Sequence, residues 1–201
     1  AGSGALSAAE GRNVAIGRNA GQSMTSTTGN TLIGFEAGRA QNYDGAAYVT
    51  MVGYQAGEDQ TTSAYNTGFG AFNQKSSDTE AHNTSIGYYA MNGANGGGEY
   101  NTALGSYVMS DASQSGDYNV GVGWRALYGN TSGSSNNAVG YLALTACADG
   151  ELNNAMGDRA LTAVVGGDKN VGVGQQAGFA ITSGSNNICI GFDSGRTGSP
   201  G

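Results

Sequence analysis

The residues whose side chains could carry out chemistry are few and widely spaced. His82 is the only histidine, and the two cysteines are Cys147 and Cys189. A metal site needs several ligands, and a catalytic triad needs a nucleophile beside its histidine, so a lone histidine supplies neither. We therefore predict no catalytic residue, no metal site and no cofactor, and we interpret both cysteines as small buried hydrophobic residues without a disulfide.

Pairs of acidic residues are the remaining candidates for catalysis, because glycan hydrolysis uses two carboxylates. Three such pairs occur in the chain: Glu58/Asp59, Asp78/Glu80 and Asp149/Glu151. All three fall in variable segments, where acids usually keep a protein soluble. We therefore expect that the protein is not an enzyme. The alternative is a glycan-degrading enzyme similar to a phage tailspike.

Aromatic residues recur at nearly constant spacing in two rows. The first row is Tyr48, Tyr65, His82, Tyr100 and Tyr118, and the second is Phe35, Tyr54, Tyr88, Trp124, Tyr141 and Phe192. Rings at such spacing can form a ladder that stabilises the fold or an interface between copies, which is the interpretation we favour. They can also form a surface that stacks on sugar rings. The candidate glycan or receptor surface consists of Tyr48, Tyr65, Tyr100, Tyr118, Tyr54, Tyr88, Trp124 and Tyr141.

Both rows are positioned by a repeat of the form Asn-x-x-apolar-Gly-x-x-Ala. Its glycines, called the pacing glycines here, are Gly17, Gly34, Gly53, Gly70, Gly87, Gly105, Gly123, Gly140, Gly157, Gly174 and Gly191, in steps of 17 to 19 residues. Self-similarity at a fixed period indicates stacked supersecondary units. A period of 17 residues is too short for a helix pair and fits one coil of a β-solenoid. The sequence predicts an all-β parallel β-solenoid of about 11 coils, which we number in chain order by their pacing glycines.

Asparagine opens ten of the eleven repeats, and Val49 is the exception. The asparagine column is Asn13, Asn30, Asn66, Asn83, Asn101, Asn119, Asn136, Asn153, Asn170 and Asn187. An asparagine side chain can bond the backbone at a turn, and in a stack it can also bond its own copy one coil away. The pacing glycines indicate corners with positive φ, or backbone contacts that leave no room for a Cβ.

Two further columns define the strand of each coil. The residue directly before the pacing glycine is always apolar, and the strand-start column, two residues earlier, is mostly β-branched, as in Thr31, Thr50, Thr67, Thr84 and Thr102. Residues two apart on a strand share a face, so we expect both columns to point into the core. The small residue between them would then permit close approach by another surface. An exposed threonine array would instead favour an ice-binding solenoid.

Composition limits the partners. The chain has 201 residues, 37 glycines and a net charge of −7. Binding to nucleic acid requires a basic patch, which this chain does not have, so we exclude a nucleic-acid partner. No apolar run reaches membrane-spanning length, so we expect no membrane insertion. Residues 1–12 are interpreted as a lead-in or cap, 13–195 as one solenoid domain and 196–201 as a C-terminal linker.

The run Asn-Val-Ala-Ile-Gly-x-x-Ala at 13–20 resembles the repeat of trimeric autotransporter adhesin heads, and residues 119–127 and 136–144 are similar to repeats in bacteriophage tail-fibre shafts. The resemblance covers residues 13 to about 194. It implies a left-handed β-roll and a homotrimeric rod, although the adhesin coils are a few residues shorter. It also implies an extracellular, cell-surface or virion location.

From these features we expect a structural fibre or adhesin module, the shaft or head of a trimeric fibre involved in surface attachment. A homotrimer also makes physical sense, since one narrow coil buries little surface while fixing many glycines. The expected partners are two further copies of the chain and a cell-surface glycan or protein receptor. Units stacked end to end in a self-assembling filament are a further alternative.

Overall fold

Eleven short parallel strands form a single sheet in the computed structural model, which describes residues 12–76, 81–93, 98–111 and 114–195. No helix occurs among these residues. The strands are β1 (Val14–Ile16), β2 (Thr31–Ile33), β3 (Thr50–Val52), β4 (Thr67–Phe69), β5 (Thr84–Ile86), β6 (Thr102–Leu104), β7 (Val120–Val122), β8 (Asn137–Val139), β9 (Asn154–Met156), β10 (Val171–Val173) and β11 (Ile188–Ile190). Each is three residues long.

Each strand pairs with the next one along the chain, in the order β1 to β11. The register joins equivalent repeat positions, so that Thr50 lies between Thr31 and Thr67. The chain therefore winds through about ten turns from β1 to β11 and forms a parallel β-solenoid, as the repeat predicts. The proposed lead-in and linker lie almost entirely outside the described residues.

The pacing glycines are required for two reasons at once. Their φ angles are positive, as at Gly53 (φ 146°), a region that side chains rarely allow. In addition, a Cβ on Gly53 would come within 3 Å of the carbonyl oxygen of Gly70 in the next coil. Both of the reasons considered from the sequence apply from Gly17 to Gly174, where a side chain would force adjacent coils apart, whereas at Gly191, in the last coil, only the positive φ applies.

The asparagine column forms a hydrogen-bonded ladder inside the solenoid, which is interrupted only at Val49 in coil 3. Asn101 is buried; its Oδ1 accepts a hydrogen bond from the backbone N–H of Asn119 at 2.8 Å, and its Nδ2 donates to the carbonyl oxygen of Gly116 at 2.9 Å. Asn119 in turn accepts from the N–H of Asn136 at 2.9 Å. Each of these asparagines thus satisfies backbone groups at the corner, where the strand ladder has ended.

The prediction that the residue before the pacing glycine and the strand-start residue point into the core is wrong. In β6, Thr102 and Leu104 face outward, whereas the small residue Ala103 is buried. The physical reason is the asparagine: Asn101 points inward, and side chains alternate along a strand, so the residue two places later also points inward. The column of small residues is consequently not available to another surface.

The core is shared between two inward columns whose sizes compensate. One is the middle residue of each strand, and the other lies four residues after the pacing glycine. Coil 8 places the small Ala138 opposite Leu144, whereas coil 2 places Leu32 opposite Gly38. Leu144 reaches the core from a left-handed backbone, with φ 49°. A third inward column, seven residues after the glycine, contributes Cys147 among others.

Polar side chains interrupt this core near coil 4. One apolar cluster runs from Met24 to Ala64 and another from Ala90 to Val164. Between them, the amide of Gln60 donates to Gln74 Oε1 at 3.1 Å, and the amide of Gln74 donates to Ser85 Oγ at 2.6 Å. These three side chains are fully buried, so the solenoid contains a hydrogen-bonded polar segment between two apolar ones.

Candidate functional surface

The outward face of the sheet carries no charged side chain, and one of its two columns is apolar throughout. The residue before each pacing glycine lies on it, and this column reads Ile16, Ile33, Val52, Phe69, Ile86, Leu104, Val122, Val139, Met156, Val173 and Ile190. Most of these side chains are exposed, Ile86 and Leu104 each at 44%. The strand-start column beside it reads Val14, Thr31, Thr50, Thr67, Thr84, Thr102, Val120, Asn137, Asn154, Val171 and Ile188.

The strand-start threonines share this outward face, so the expectation that they point inward is also wrong. Thr84 and Thr102 are exposed, and Thr31, Thr50 and Thr67 are half-buried. The five are in register on adjacent strands. They form an outward row of hydroxyl and methyl groups along half of the sheet.

The first aromatic row forms a stacked ladder. This is the geometry expected if the rings stabilise the fold or an interface between copies, the interpretation favoured from the sequence. His82 lies parallel to Tyr65 and Tyr100, with ring centroids 4.7 and 4.8 Å away, and Tyr118 stacks on Tyr100 at 5.1 Å. Tyr48 stacks on Tyr65 at 5.9 Å. Because most ring faces in this ladder are covered by neighbouring rings, it offers edges and hydroxyls to solvent, with few faces left for a sugar.

The second aromatic row, directly after the pacing glycines, is discontinuous. Phe35 stacks on Tyr54 and Trp124 stacks on Tyr141, each pair with ring centroids 5.1 Å apart. Tyr88 stands between the two pairs, with a small residue on either side of it in the column. These small residues are Ala71 in coil 4 and Ser106 in coil 6.

A third stack, which we did not find in the sequence, lies one residue further on. Tyr89 packs against Phe72 at 5.0 Å and against Tyr107 at 5.5 Å, and the guanidinium of Arg125 continues the column 5.6 Å from the Tyr107 ring. These residues have left-handed backbones, with Arg125 at φ 54°. Their recurrence two residues after the glycine in coils 4 to 7 was the available signal.

Arg125 is held among aromatic rings. Its guanidinium carbon lies 4.6 Å from the Trp124 ring centroid, 4.9 Å from that of Tyr128 and 5.6 Å from that of Tyr107. Among the described residues its side chain forms no hydrogen bond or ion pair, and its Nε is buried without a partner. The guanidinium is therefore held by cation–π contacts with rings of coils 6 and 7.

Arg39 and Lys75 form ion pairs with one acidic pair. Glu58, which is buried, lies 3.0 Å from Arg39 Nη2 and 3.1 Å from Lys75 Nζ. Asp59 pairs with Arg39 at 3.2 Å. This acidic pair therefore joins coils 2, 3 and 4, a structural role that its position in a variable segment did not predict. The second acidic pair, Asp78/Glu80, lies outside the described part of the chain.

Three titratable groups respond to their surroundings, and the hydrogen bond from Gln55 lowers the pKa of Glu36. Burial raises the pKa of the Cys147 thiol to about 11, and the carboxylates of Asp149 and Asp168 act in the same direction. Desolvation, together with the neighbouring Tyr107 and Tyr89, raises the pKa of Tyr88. Cys147 and Cys189 are both buried free thiols, as predicted.

Searches for other kinds of site give little. Within the described ranges, no group of three or more His, Cys, Asp or Glu side chains is placed to hold a metal ion. In the same ranges, no helix is long and apolar enough to span a membrane. Comparison of the chain with protein-family models, with curated proteins and with solved structures finds no match.

Proposed function

We propose that the chain is a structural module of an attachment fibre, in which three copies pack along the outward face of the eleven-stranded sheet. The observation that carries the proposal is that face: 22 positions on eleven strands, none of them charged. In a protein of net charge −7, such a continuous uncharged stripe contrasts with the surface that a soluble monomer needs.

The size of the face supports this assignment. Ten strand spacings give a length of about 48 Å, and a three-residue strand gives a width of roughly 10 Å. The resulting uncharged area, about 500 Å², is comparable with the largest apolar patch of a typical monomer, which is often functional. Packing it against other copies would supply the burial that a narrow solenoid lacks.

A trimer closed by threefold symmetry is the assembly that the resemblance to adhesin heads and tail-fibre shafts implies, with a left-handed coil and an extracellular, cell-surface or virion location. Closed symmetry would turn the apolar face of every copy inward. The faces outside it, including the variable loops and parts of the aromatic rows, would remain for a receptor.

The test is the mass of the particle in solution, measured by light scattering. We expect about three times the chain mass of 20.1 kDa, and dissociation when Leu104→Glu places a charge on the outward face. Ser132→Glu, on an exposed loop away from this face, is the matched control and should leave the mass unchanged. A stable monomer would refute the trimer, and a mass that grows with concentration would indicate end-to-end stacking.

A second candidate function is favoured by the outward threonines. Five in-register threonines on one sheet face, beside an aliphatic column, present the regular hydroxyl and methyl pattern of an ice-binding surface. The trimer and ice binding need the same face, so they exclude each other. Thermal hysteresis in a monomeric preparation, abolished by Thr84→Glu, would favour ice binding, and its absence would eliminate it.

A further inference from the structure

The chain contains two Asp-Gly dipeptides, Asp44–Gly45 and Asp149–Gly150. Glycine has no side chain to shield its backbone nitrogen, so this nitrogen can attack the carboxyl carbon of the preceding aspartate and close a five-membered succinimide ring. The reaction needs a nitrogen that is free of hydrogen bonds and a peptide that can turn toward the carboxyl group. The two dipeptides differ in both respects, although their sequences are the same.

Asp44 and Gly45 lie in the loop that joins coils 2 and 3, where the pacing glycines are 19 residues apart, the longest step in the chain. Both residues are exposed. Among the described residues, the Asp44 carboxylate takes part in no hydrogen bond or ion pair, and the Gly45 N–H donates no hydrogen bond. A Cβ built at Gly45 would meet nothing within 4 Å, so the surroundings leave room for the ring.

The loop is held on both sides of this dipeptide. Before it, Tyr43 packs against the apolar cluster that precedes the polar segment of the core. After it, the carbonyl of Thr28 accepts a hydrogen bond from the N–H of Ala47 at 3.0 Å, and the N–H of Thr28 donates to the Gly45 carbonyl at 2.8 Å. Between these anchors, the Gly45 nitrogen can approach the Asp44 carboxyl group without first giving up a hydrogen bond of its own.

The second dipeptide, Asp149–Gly150, is locked into the stack of coils. Gly150 is buried, its N–H donates to the carbonyl oxygen of Val165 at 3.3 Å, and its own carbonyl accepts from Asn136 Nδ2 at 2.7 Å. A Cβ built at Gly150 would lie 2.6 Å from the carbonyl oxygen of Gly167 in the next coil. Gly150 therefore cannot turn toward the Asp149 carboxyl group unless the coil opens locally.

We propose that Asp44 is a modification site, at which the folded protein converts aspartate to isoaspartate. The Gly45 nitrogen bonds to Cγ of the protonated Asp44 carboxyl group, and the carboxyl O–H and the amide hydrogen leave together as water. A water molecule then opens the succinimide ring. Attack at the main-chain carbonyl of Asp44 leaves Gly45 attached through Cγ, which is isoaspartate, whereas attack at Cγ restores aspartate. The composition of the protein does not change, and water is the only co-reactant.

The loop can accommodate the product. Isoaspartate lengthens the main chain by one carbon and places the carboxylate on Cα. The loop is exposed, and its 19-residue step is two residues longer than the 17-residue steps elsewhere in the chain. We therefore expect the modified protein to keep its coils and its unfolding midpoint, so that isoaspartate accumulates in the folded state.

The test is the rate at which isoaspartate forms in the folded protein, kept at body temperature in a mildly acidic buffer in which protonated carboxyl groups are present. An isoaspartyl methyltransferase labels the product with a radioactive methyl group from S-adenosylmethionine. Trypsin separates the two sites, because Asp44 falls in peptide 40–75 and Asp149 in peptide 126–159. We expect Asp44 to react at least about tenfold faster than Asp149, since Gly150 must first lose its hydrogen bonds.

Variants and unfolding separate the sequence from the structure. Asp44→Glu keeps the charge but should abolish the label in peptide 40–75, because glutamate would have to close a less favourable six-membered ring. Asp149→Glu, the matched control, should leave the label in peptide 40–75 unchanged. In urea, where neither glycine is held, the two aspartates should react at similar rates. The Asn-Gly dipeptides fall in a third peptide, 76–125, and their deamidation is distinguished by its change in mass.

The inference is overturned if the folded protein forms isoaspartate at Asp44 no faster than at Asp149, or if the label in peptide 40–75 survives Asp44→Glu. It is also overturned if the ratio of the two rates is the same in urea as in the folded state, because the difference would then not come from the fold. A modified protein with a lower unfolding midpoint would contradict the tolerance inferred for the loop.

Discussion

Leu32 occupies the space that a side chain at Gly38 would need. A Cβ on Gly38 would lie 2.7 Å from Leu32 Cδ2 and 2.9 Å from Leu32 Cδ1. Coil 8 solves the same packing problem in reverse, with the large residue at Leu144 and the small one at Ala138, both fully buried. In coils 2 and 8, the two inward positions therefore hold one large side chain between them.

Exchanging the two residues of coil 2 should restore much of the stability that either change removes. We expect Leu32→Ala to destabilise the protein by about 2–5 kcal/mol through a cavity, and Gly38→Leu to destabilise it by overpacking and by its positive φ of 55°. The double variant reproduces the arrangement of coil 8. Urea unfolding should give a cycle in which its loss is clearly smaller than the sum of the single losses, whereas additive losses would contradict shared space.

Removing one asparagine from the ladder should be costly. Asn101→Ala leaves the N–H of Asn119 and the carbonyl of Gly116 without the partners they have in the fold. With about 1–3 kcal/mol for each of these two unsatisfied buried groups, we expect a loss of roughly 2–6 kcal/mol in the free energy of unfolding. Asn42→Ala, at an exposed asparagine that accepts a hydrogen bond from Thr25, serves as the control. It should change the free energy of unfolding by less than about 1 kcal/mol. Equal losses would argue against the ladder.

Position in the tyrosine ladder should determine how much a ring contributes. Tyr100 stacks on both His82 and Tyr118, whereas Tyr118, at the end, has one stacked partner. Both tyrosines have the same φ of 58°, so substitution by alanine changes the backbone equally. We expect Tyr100→Ala to destabilise the protein by about 0.5–1.5 kcal/mol more than Tyr118→Ala, measured by urea unfolding at pH 8. The reverse order would mean that the stacking itself stabilises little.

Cys147 should make stability depend on alkaline pH. Its pKa is about 11 in the fold against 9.0 for an unperturbed thiol, because burial disfavours the thiolate. Below about pH 9 both states hold the proton and the contribution is fully present. As pH rises from about 9 through about 11, the unfolded thiol ionises first and about 2–3 kcal/mol is lost. Cys147→Val, which copies Val164 in the next coil, should lose less stability between pH 8 and pH 10.5, and an unchanged loss would contradict the shift.

The architecture could be predicted from the sequence because glycine and asparagine have local, steric roles. A positive φ and a close backbone approach at Gly53 do not depend on what packs nearby, so the spacing alone indicated coils. Which side chains of each strand face the core could not be predicted from hydrophobicity. Apolar residues such as Leu104 lie outside, and small ones such as Ala103 lie inside. The inward Asn101 sets this alternation of inward and outward side chains. Recognising asparagine as an inward residue would have predicted the alternation.

Other features were hidden because they depend on uncommon backbone conformations. Leu127, Leu144 and Leu161 enter the core with φ near 50°, which few leucines adopt and no propensity indicates. The same conformation places Arg125 among its rings. Its partners are brought together by the stacking of three successive coils, and a motif read within one repeat does not show that relationship.

The polar segment around Gln60 and Gln74 distinguishes one alignment of the repeated coils from alignments shifted by a whole coil. In a core made only of alanine and leucine, a chain that slipped by one whole coil would recover nearly every contact. With the amides present, the same slip would move Gln74 away from Ser85 and leave buried amide groups without hydrogen bonds. Two glutamines and a serine thus fix the register of the stacked coils, because only one alignment of the repeats satisfies all three side chains.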